Sequence, residues 1–310
     1  MDVHAASLRD LIAHLERELR GGASQVRLLV LDPDLGRGRY AGERGEVGGI
    51  AYVHRPFRVW VDLAERLGLR LLMPRAADPP LVELVFEPLD RGRRIGAGET
   101  AGDPERYGAE SAFARISKLE DPGFVVDVAE AVERAALPAR ARILDLGVNT
   151  GDELELLTAL APGASFVGID HSASALAVAR ARFPTAQLVE ADLHTLPSLG
   201  LGRFDLVFSV GTLHSPGIDD RGVVRRVVQD HLAPGGAVIL GFPNCRYVDG
   251  EVEYGTRMKN FRQPELGLLI KDVAFYRKYL QQHGRQVFVT GKNYVFVTGV
   301  AARDYGARSS

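Results

Sequence analysis

The spacing of apolar and polar positions divides the chain into two parts of different rhythm. From Leu8 to Arg20 the apolar residues Leu8, Leu11, Ile12, Leu15 and Leu19 recur on one stripe, which predicts an amphipathic surface helix. "GGAS" breaks it. The run "QVRLLVLDP" (25–33) predicts a strand stopped by proline, and "FRVWVDLAERLG" (57–68) a second helix with a glycine stop. "RLLMP" and "PPLVELVFEPLD" predict further strands. Between them "DLGRGRYAGERGEVGG" is rich in glycine and charge and is expected to be a long loop. Residues 1–90 are therefore expected to form a small N-terminal α/β domain, serving substrate recognition or acting as a lid. "RGRRIGAGETAGDPERYG" (91–108) is polar and aperiodic, so residues 91–121 are expected to be a linker and lid segment.

A second rhythm follows, over residues 122–303. "PGFVVDVAEAVERAAL" (122–137) predicts a helix with proline in its first turn. Strand and helix then alternate: "RILDLG", a helix over 152–160, "SFVGID", a helix over 172–183, "AQLVEAD", then "FDLVFSVG", a helix over 219–232, and "AVILGFP". These strands lack polar alternation, as expected when helices cover both faces of a sheet. The pattern predicts a doubly wound, mainly parallel α/β sheet. After a long helix over about 264–282, "RQVFVTG" and "NYVFVTGVA" predict a terminal hairpin that brings in an antiparallel strand. Residues 304–310 read as a tail.

Composition narrows the chemistry. The 310 residues carry a formal net charge of -2, which gives no overall basic field for nucleic acid or an anionic membrane. Cys245 is the single cysteine, so neither an internal disulfide nor a cysteine-based zinc site can form. The first residues are amphipathic and charged, unlike a signal peptide, and no apolar run approaches the ~20 residues of a membrane span. A cytoplasmic protein is expected, with no metal ligand set.

In a doubly wound sheet, ligands lie beyond the carboxyl ends of the strands near the reversal of strand order. The turn after the first such strand, "ILDLGVNTGDE" (143–153), has Gly147 and Gly151 where backbone must come close to a ligand. It lacks the third glycine of a dinucleotide turn, and acids open the following helix, where they oppose a pyrophosphate. A phosphate-free nucleoside, neutral or cationic, is the better fit. Asp145 can order the loop or meet an ammonium group. Asp170, ending the second strand beside His171, can accept from both hydroxyls of a ribose. Asp192 and Leu193, ending the third, suit the amino group and face of a purine. A helix N-cap is the simpler reading of either acid taken alone. Asn149 stands where glycine is commoner, and asparagine tolerates left-handed backbone best after glycine.

Taken in order, "ILDLGVNTGDE", "VGIDHS", "VEADLHTLP", "FDLVFSVGTLHSPG" and "LAPGGAVILGFP" resemble the successive motifs of class I S-adenosylmethionine-dependent methyltransferases. The resemblance covers about residues 110–303 and implies a seven-stranded Rossmann-like sheet. It implies that the loop from Asp145 through Asn149 to Gly151 holds the methionine part of S-adenosylmethionine, and that Asp170 holds the ribose and Asp192 with Leu193 the adenine. Ser209, Val210 and Gly211 would flank the sulfonium. His214, after the fourth strand, is a candidate general base; a histidine ordering its loop is the alternative. Tyr107, Phe113 and Lys118 are candidate lid residues.

The acceptor is less determined. An Asx-Pro-Pro-aromatic signature for planar amines is absent after the fourth strand. Cys245 lies after the fifth strand, which argues against a cysteine nucleophile. Asp219 and Asp220 read as a helix N-terminus rather than a metal site. "NCRYVDGEVEYGTRMKNFRQPE" (244–265) mixes cations with aromatics, so Arg246, Tyr247, Tyr254 and Lys259 are candidate substrate contacts, against the alternative of a solvated loop. The leading expectation is methyl transfer to oxygen or nitrogen of a small molecule, releasing S-adenosylhomocysteine. An RNA methyltransferase, recruited through Arg37, Arg39, Arg55, Arg58, Arg91, Arg93 and Arg94, and a non-catalytic S-adenosylmethionine-binding protein are the alternatives.

Overall fold

The structure is a computed structural model that describes residues 3–36, 38–89, 117–215, 217–248, 251–254 and 266–302. The chain forms two compact units, Met1–Ala97 and Gly98–Ser310.

In the first unit, helix α1 (Leu8–Arg20) begins where the Ser7 hydroxyl accepts the Asp10 N–H, and it buries Leu11 and Leu15. Strand β1 (Val26–Leu31) follows. The segment expected to be a long loop contains a 3-10 turn and a hairpin, β2 (Arg44–Val47) against β3 (Ile50–Val53). Gly48 and Gly49, at φ +59° and +78°, supply the two left-handed residues such a tight turn needs. Helix α2 (Phe57–Arg66) and strands β4 (Leu69–Leu71), β5 (Arg75–Ala76) and β6 (Leu81–Pro88) complete the unit. β6 pairs antiparallel with β1, β4 and β5. One face of this sheet and the apolar stripes of the two helices enclose Leu11, Leu15, Leu28, Trp60, Leu84 and Phe86.

The second unit opens with a 3-10 turn at Lys118–Glu120 and helix α3 (Pro122–Ala135). Asp121 caps α3 by accepting the N–H groups of Gly123 and Phe124, with proline in the first turn. Then come β7 (Arg142–Leu146), α4 (Asp152–Leu160), β8 (Ser165–Asp170), α5 (Ala173–Arg182), β9 (Gln187–Glu190), β10 (Phe204–Val210), α6 (Asp220–Arg226) and β11 (Leu232–Pro243). A short hairpin, β12 (Cys245–Val248) with β13 (Glu251–Tyr254), precedes α7 (Leu266–Gln282), β14 (Arg285–Thr290) and β15 (Tyr294–Ala301). The seven-stranded sheet has the order β14-β15-β11-β10-β7-β8-β9. Its strands β7 to β11 are parallel, and β15 runs antiparallel to both neighbours.

Successive strand residues go to opposite cores, which is why the strands are apolar throughout. Leu144, Val207 and Val238 pack in the core that includes Val223 and Tyr276, while Ile143, Phe208 and Ile239 pack with Phe124, Val128 and Leu157. The chain winds outward from β7 to β9 and then returns to place β10 on the other side of β7. The strand order therefore reverses between β7 and β10. Two boundaries differ from expectation. The helix expected over 219–232 is α-helical only to Arg226; a π-helical turn over Val227–His231 follows, and β11 begins at Leu232, ahead of the "APGG" turn. Within the cation-rich segment after β11, Cys245–Val248 and Glu251–Tyr254 pair as the β12–β13 hairpin. Among the described residues no helix is long and apolar enough to cross a membrane.

Candidate cofactor site

The β7–α4 turn is built from three left-handed residues, Gly147 (φ +83°), Asn149 (φ +46°) and Gly151 (φ +91°). The N–H groups of Gly147 and Val148 both donate to the Ile169 carbonyl at 2.8 and 3.1 Å, which ties the turn to β8. A Cβ on Gly147 would lie 1.9 Å from Oγ1 of Thr212, just beyond β10, and one on Gly151 would lie 2.7 Å from the Phe183 ring. Both glycines are therefore required by conformation and by space. Asn149 keeps its turn in another way: its side-chain Oδ1 accepts the Thr150 N–H at 2.8 Å. Its amide thus orders the loop itself.

Asp170, at the end of β8, is buried. One of its oxygens accepts the Asn149 N–H and the other the Ser172 N–H, each at 2.9 Å. The carboxylate is thereby aimed by backbone from two neighbouring turns, with lone pairs left on both oxygens. His171 is exposed, its Nδ1 3.5 Å from Asp170. Asp192, at the end of β9, is exposed and caps the following 3-10 turn, accepting the His194 N–H at 2.8 Å and facing its Nδ1 at 2.6 Å. Those two bonds, opposed weakly by burial, hold its carboxyl below the ordinary aspartate value. Leu193 beside it is buried. Ser209 and Val210 are buried at the end of β10, where the Ser209 hydroxyl donates to the Leu146 carbonyl at 3.1 Å and links β10 to β7. Asp145, Gly147, Asn149, Gly151, Asp170, Ser209 and Val210 thus come together at the reversal of strand order, with Asp192 and Leu193 farther along the same edge.

Beneath the turn lies a group of charges. Asp145 and Glu153 are buried. Lys118, about a quarter exposed, donates to Glu153. Burial would lower the Lys118 pKa, but the charge and hydrogen bond of Glu153 outweigh it and raise the value, with help from Asp145 and Asp152. Neither Asp145 oxygen has a hydrogen-bond partner among the described residues. Burial, and then the charge of Glu153, push its pKa well up, against the pull of Lys118. Two acids to one cation leave room for a further positive group.

On the far side of β10, His214 is mostly buried. Its Nε2 is 3.4 Å from Asp272 Oδ2 and its ring packs on Phe242, centroids 4.6 Å apart. Burial lowers its pKa, partly offset by Asp272 and Asp220. Tyr276 stacks on Phe242 and donates to Asp220, while Arg221 lies 3.7 Å from Asp272. Asp219, rather than Asp220, caps α6. Asp272 and Tyr276 are absent from the sequence expectations. The signal for them is weak: two polar-tipped residues four apart on α7, far along the chain from His214. Cys245 is buried and its thiol is pushed up to about 11 by burial and then by Asp121, so it is no nucleophile at neutral pH. Of the expected substrate contacts, Lys259 lies outside the described residues. Only the backbone of Arg246, Tyr247 and Tyr254 is described, on the β12–β13 hairpin. Tyr107 and Phe113 also lie outside the described residues. In the first unit, Arg55 is buried, so one of the arginines expected to recruit RNA is not a surface cation, while Arg58 is exposed and pairs with Asp62 at 2.7 Å. Among the described residues no group of acidic, histidine and cysteine side chains could hold a metal ion.

This fold and turn define a doubly wound domain with a crevice at the reversal of strand order. Residues 143–236 match the family model described as "Methyltransferase domain". Among curated proteins, trans-aconitate 2-methyltransferase of Paracidovorax citrulli is 34% identical over 117 residues, which cover 38% of this chain and 44% of that protein. The enzyme of the same name from Delftia acidovorans is 34% identical over 119 residues, again 38% and 44%. The chain thus spans less than half the length of these two relatives. A solved TehB-like SAM-dependent methyltransferase from Corynebacterium glutamicum aligns at 20% identity and a TM-score of 0.38, over 56% of this chain and 86% of that one. The match marks residues 143–236 as a methyltransferase domain.

Proposed function

We propose that this chain is a cytoplasmic methyltransferase that binds S-adenosylmethionine at the β7–β10 crevice and methylates oxygen or nitrogen of a small molecule. The observation that carries the reading is the Asp170 carboxylate. It is buried and held by one backbone N–H on each oxygen at the strand-order reversal, beside a turn with no room for a Cβ at Gly147.

The residues present suit the cofactor. The buried, unpartnered oxygens of Asp145 suit the ammonium of its methionine end. Asp170 suits the ribose hydroxyls, and Leu193 with Asp192 the adenine. When bound, S-adenosylmethionine supplies a methyl group already activated by its sulfonium. The protein's part is then largely positioning. Ser209 fixes the end of β10 to β7 and so sets the floor of the crevice. His214, kept neutral by burial and oriented by Asp272, can take a proton from an acceptor at its ring nitrogen. The names of the curated relatives favour a small organic acceptor, and the burial of Arg55 removes one of the cations on which an RNA partner rested.

Calorimetric titration of the full chain with S-adenosylhomocysteine tests the cofactor. Saturable binding is expected, with at least a tenfold loss on Asp170→Ala. Unchanged affinity in that variant refutes the ribose assignment. Methyl transfer from labelled S-adenosylmethionine to a panel of small organic acids and amines tests the acceptor class. Transfer to total RNA alone overturns it.

A further inference from the structure

The first unit holds a polar pocket that the proposed methyl transfer does not use. It lies where the N-terminal residues, the end of β1, and the β3–α2 connection meet, and it measures about 260 Å³ with its open mouth included. Its polar lining is His4, His54, Arg55 and Trp60; valine and leucine side chains supply the rest, and no acid lines it.

The chemistry of this lining is one-sided. Arg55 is 7% exposed, and His54 and Trp60 are each 2% exposed. The guanidinium donates to the Ala6 carbonyl and lies over the Trp60 ring, 5.6 Å from its centre. Among the described residues no carboxylate pairs with it. A lysine or histidine in this position could shed its proton, but arginine stays charged, so burial leaves a cation whose fork of donors is only partly used. Two further buried nitrogens, Nδ1 of His54 and Nε1 of Trp60, have no hydrogen-bond partner among the described residues. The indole nitrogen can only donate. Buried donors are nearly always paired, and here a fixed cation and an unpaired indole N–H line one small concavity.

Backbone hydrogen bonds tie the walls to neighbouring segments. The Val53 N–H donates to the His4 carbonyl at 2.9 Å, and the His54 N–H to the Glu43 carbonyl at 2.7 Å. A Cβ on Gly36 would lie 1.9 Å from the His54 ring, so Gly36 backs that ring directly. Trp60 belongs to the first turn of α2, a ten-residue helix with no side-chain N-cap and no acid in that turn. The positive end of its dipole therefore has no counter-charge of its own there.

We infer that the unit Met1–Ala97 binds a small oxyanion, a carboxylate or phosphate group, in this pocket through Arg55, Trp60 and His54. A planar or tetrahedral oxyanion matches the guanidinium fork, accepts from the indole N–H, and supplies the charge that the fold omits. The site stands independently of methyl transfer.

Trp60 is the chain's single tryptophan, so its fluorescence and its one indole N–H resonance report on this pocket alone. The full chain is titrated with sodium phosphate, and separately with sodium acetate, at an ionic strength held constant with sodium chloride. A saturable change in both Trp60 signals is expected with at least one of them. Saturation by phosphate alone identifies a phosphate group, and saturation by acetate an organic acid. Arg55→Gln, checked for folding by circular dichroism, should weaken the response at least tenfold. If Arg55→Gln does not fold, movement of the wild-type indole resonance decides the matter by itself. The inference is overturned if neither anion moves the indole resonance, if chloride alone gives the same change, or if a folded Arg55→Gln protein responds as the wild type does.

Discussion

Gly147 and Asn149 both sit in left-handed backbone, but their side chains meet different surroundings. At Gly147, any Cβ would add the ordinary left-handed penalty and would collide with Thr212. Gly147→Ala is expected to cost about 1–3 kcal/mol, read as a lower urea midpoint, while Asn149→Gly should leave the midpoint within about 1 kcal/mol of wild type. A Gly147→Ala protein as stable as the wild type would show that the turn tolerates a Cβ there. The two glycines and Asp170 could be read from sequence because a close backbone approach and a strand-end acid leave local marks. That Asn149 spends its amide on Thr150 could not, since the choice between ligand and loop is made by distances. Cys245 gives a second residue-level test. With its thiol at about 11, the thiolate at pH 8 is on the order of a thousandth of the population. Iodoacetamide should therefore label the native protein far more slowly than the urea-unfolded chain; comparable rates would mean that Cys245 is neither buried nor suppressed.

Three elements converge on the charges under the turn: the segment before α3 brings Lys118, β7 brings Asp145, and α4 brings Glu153. Removing the cation leaves two buried acids facing one another. Lys118→Met should cost toward the lower end of the roughly 3–5 kcal/mol seen when a buried pair loses one member, because Lys118 is partly exposed. Lys118→Met with Glu153→Leu should recover most of that loss in thermal melts. Asp145 has the opposite consequence. Its folded pKa lies above its unfolded value, so the folded state holds the proton more tightly. Stability then falls as pH rises from about 4 toward the raised value. Asp145→Asn should flatten that dependence while weakening cofactor binding, and an unchanged slope of urea midpoint against pH would refute the assignment. Among the elements, the β-α alternation and the terminal hairpin were legible because each strand and helix is long enough to show its period. The two short hairpins were not. "VGGI" and "VDGE" carry the glycine pairs and Asp-Gly step that such turns prefer, but the surrounding charge made both segments read as loops.

At the scale of the molecule, the two units have separate cores. Leu11, Leu28, Trp60 and Phe86 belong to one, and Leu144, Val207, Phe208 and Phe296 to those of the other. What sequence did not disclose at this scale is that Arg55 faces inward, because a charge count cannot tell a buried arginine from a surface one. Separate cores imply that unfolding need not be a single transition. Differential scanning calorimetry of the full chain should therefore resolve two. Each ligand binds a native state and not an unfolded one, so each should shift only the transition of the unit that holds its site. S-adenosylhomocysteine at about 100 times its dissociation constant adds roughly 2.7 kcal/mol to the unit Gly98–Ser310. For a unit of that size this corresponds to about 5–10 °C. Phosphate or acetate should instead raise the transition of Met1–Ala97, and Arg55→Gln should abolish that shift while leaving the response to S-adenosylhomocysteine intact. A single transition moved equally by both ligands would show that the two sites share one cooperative unit.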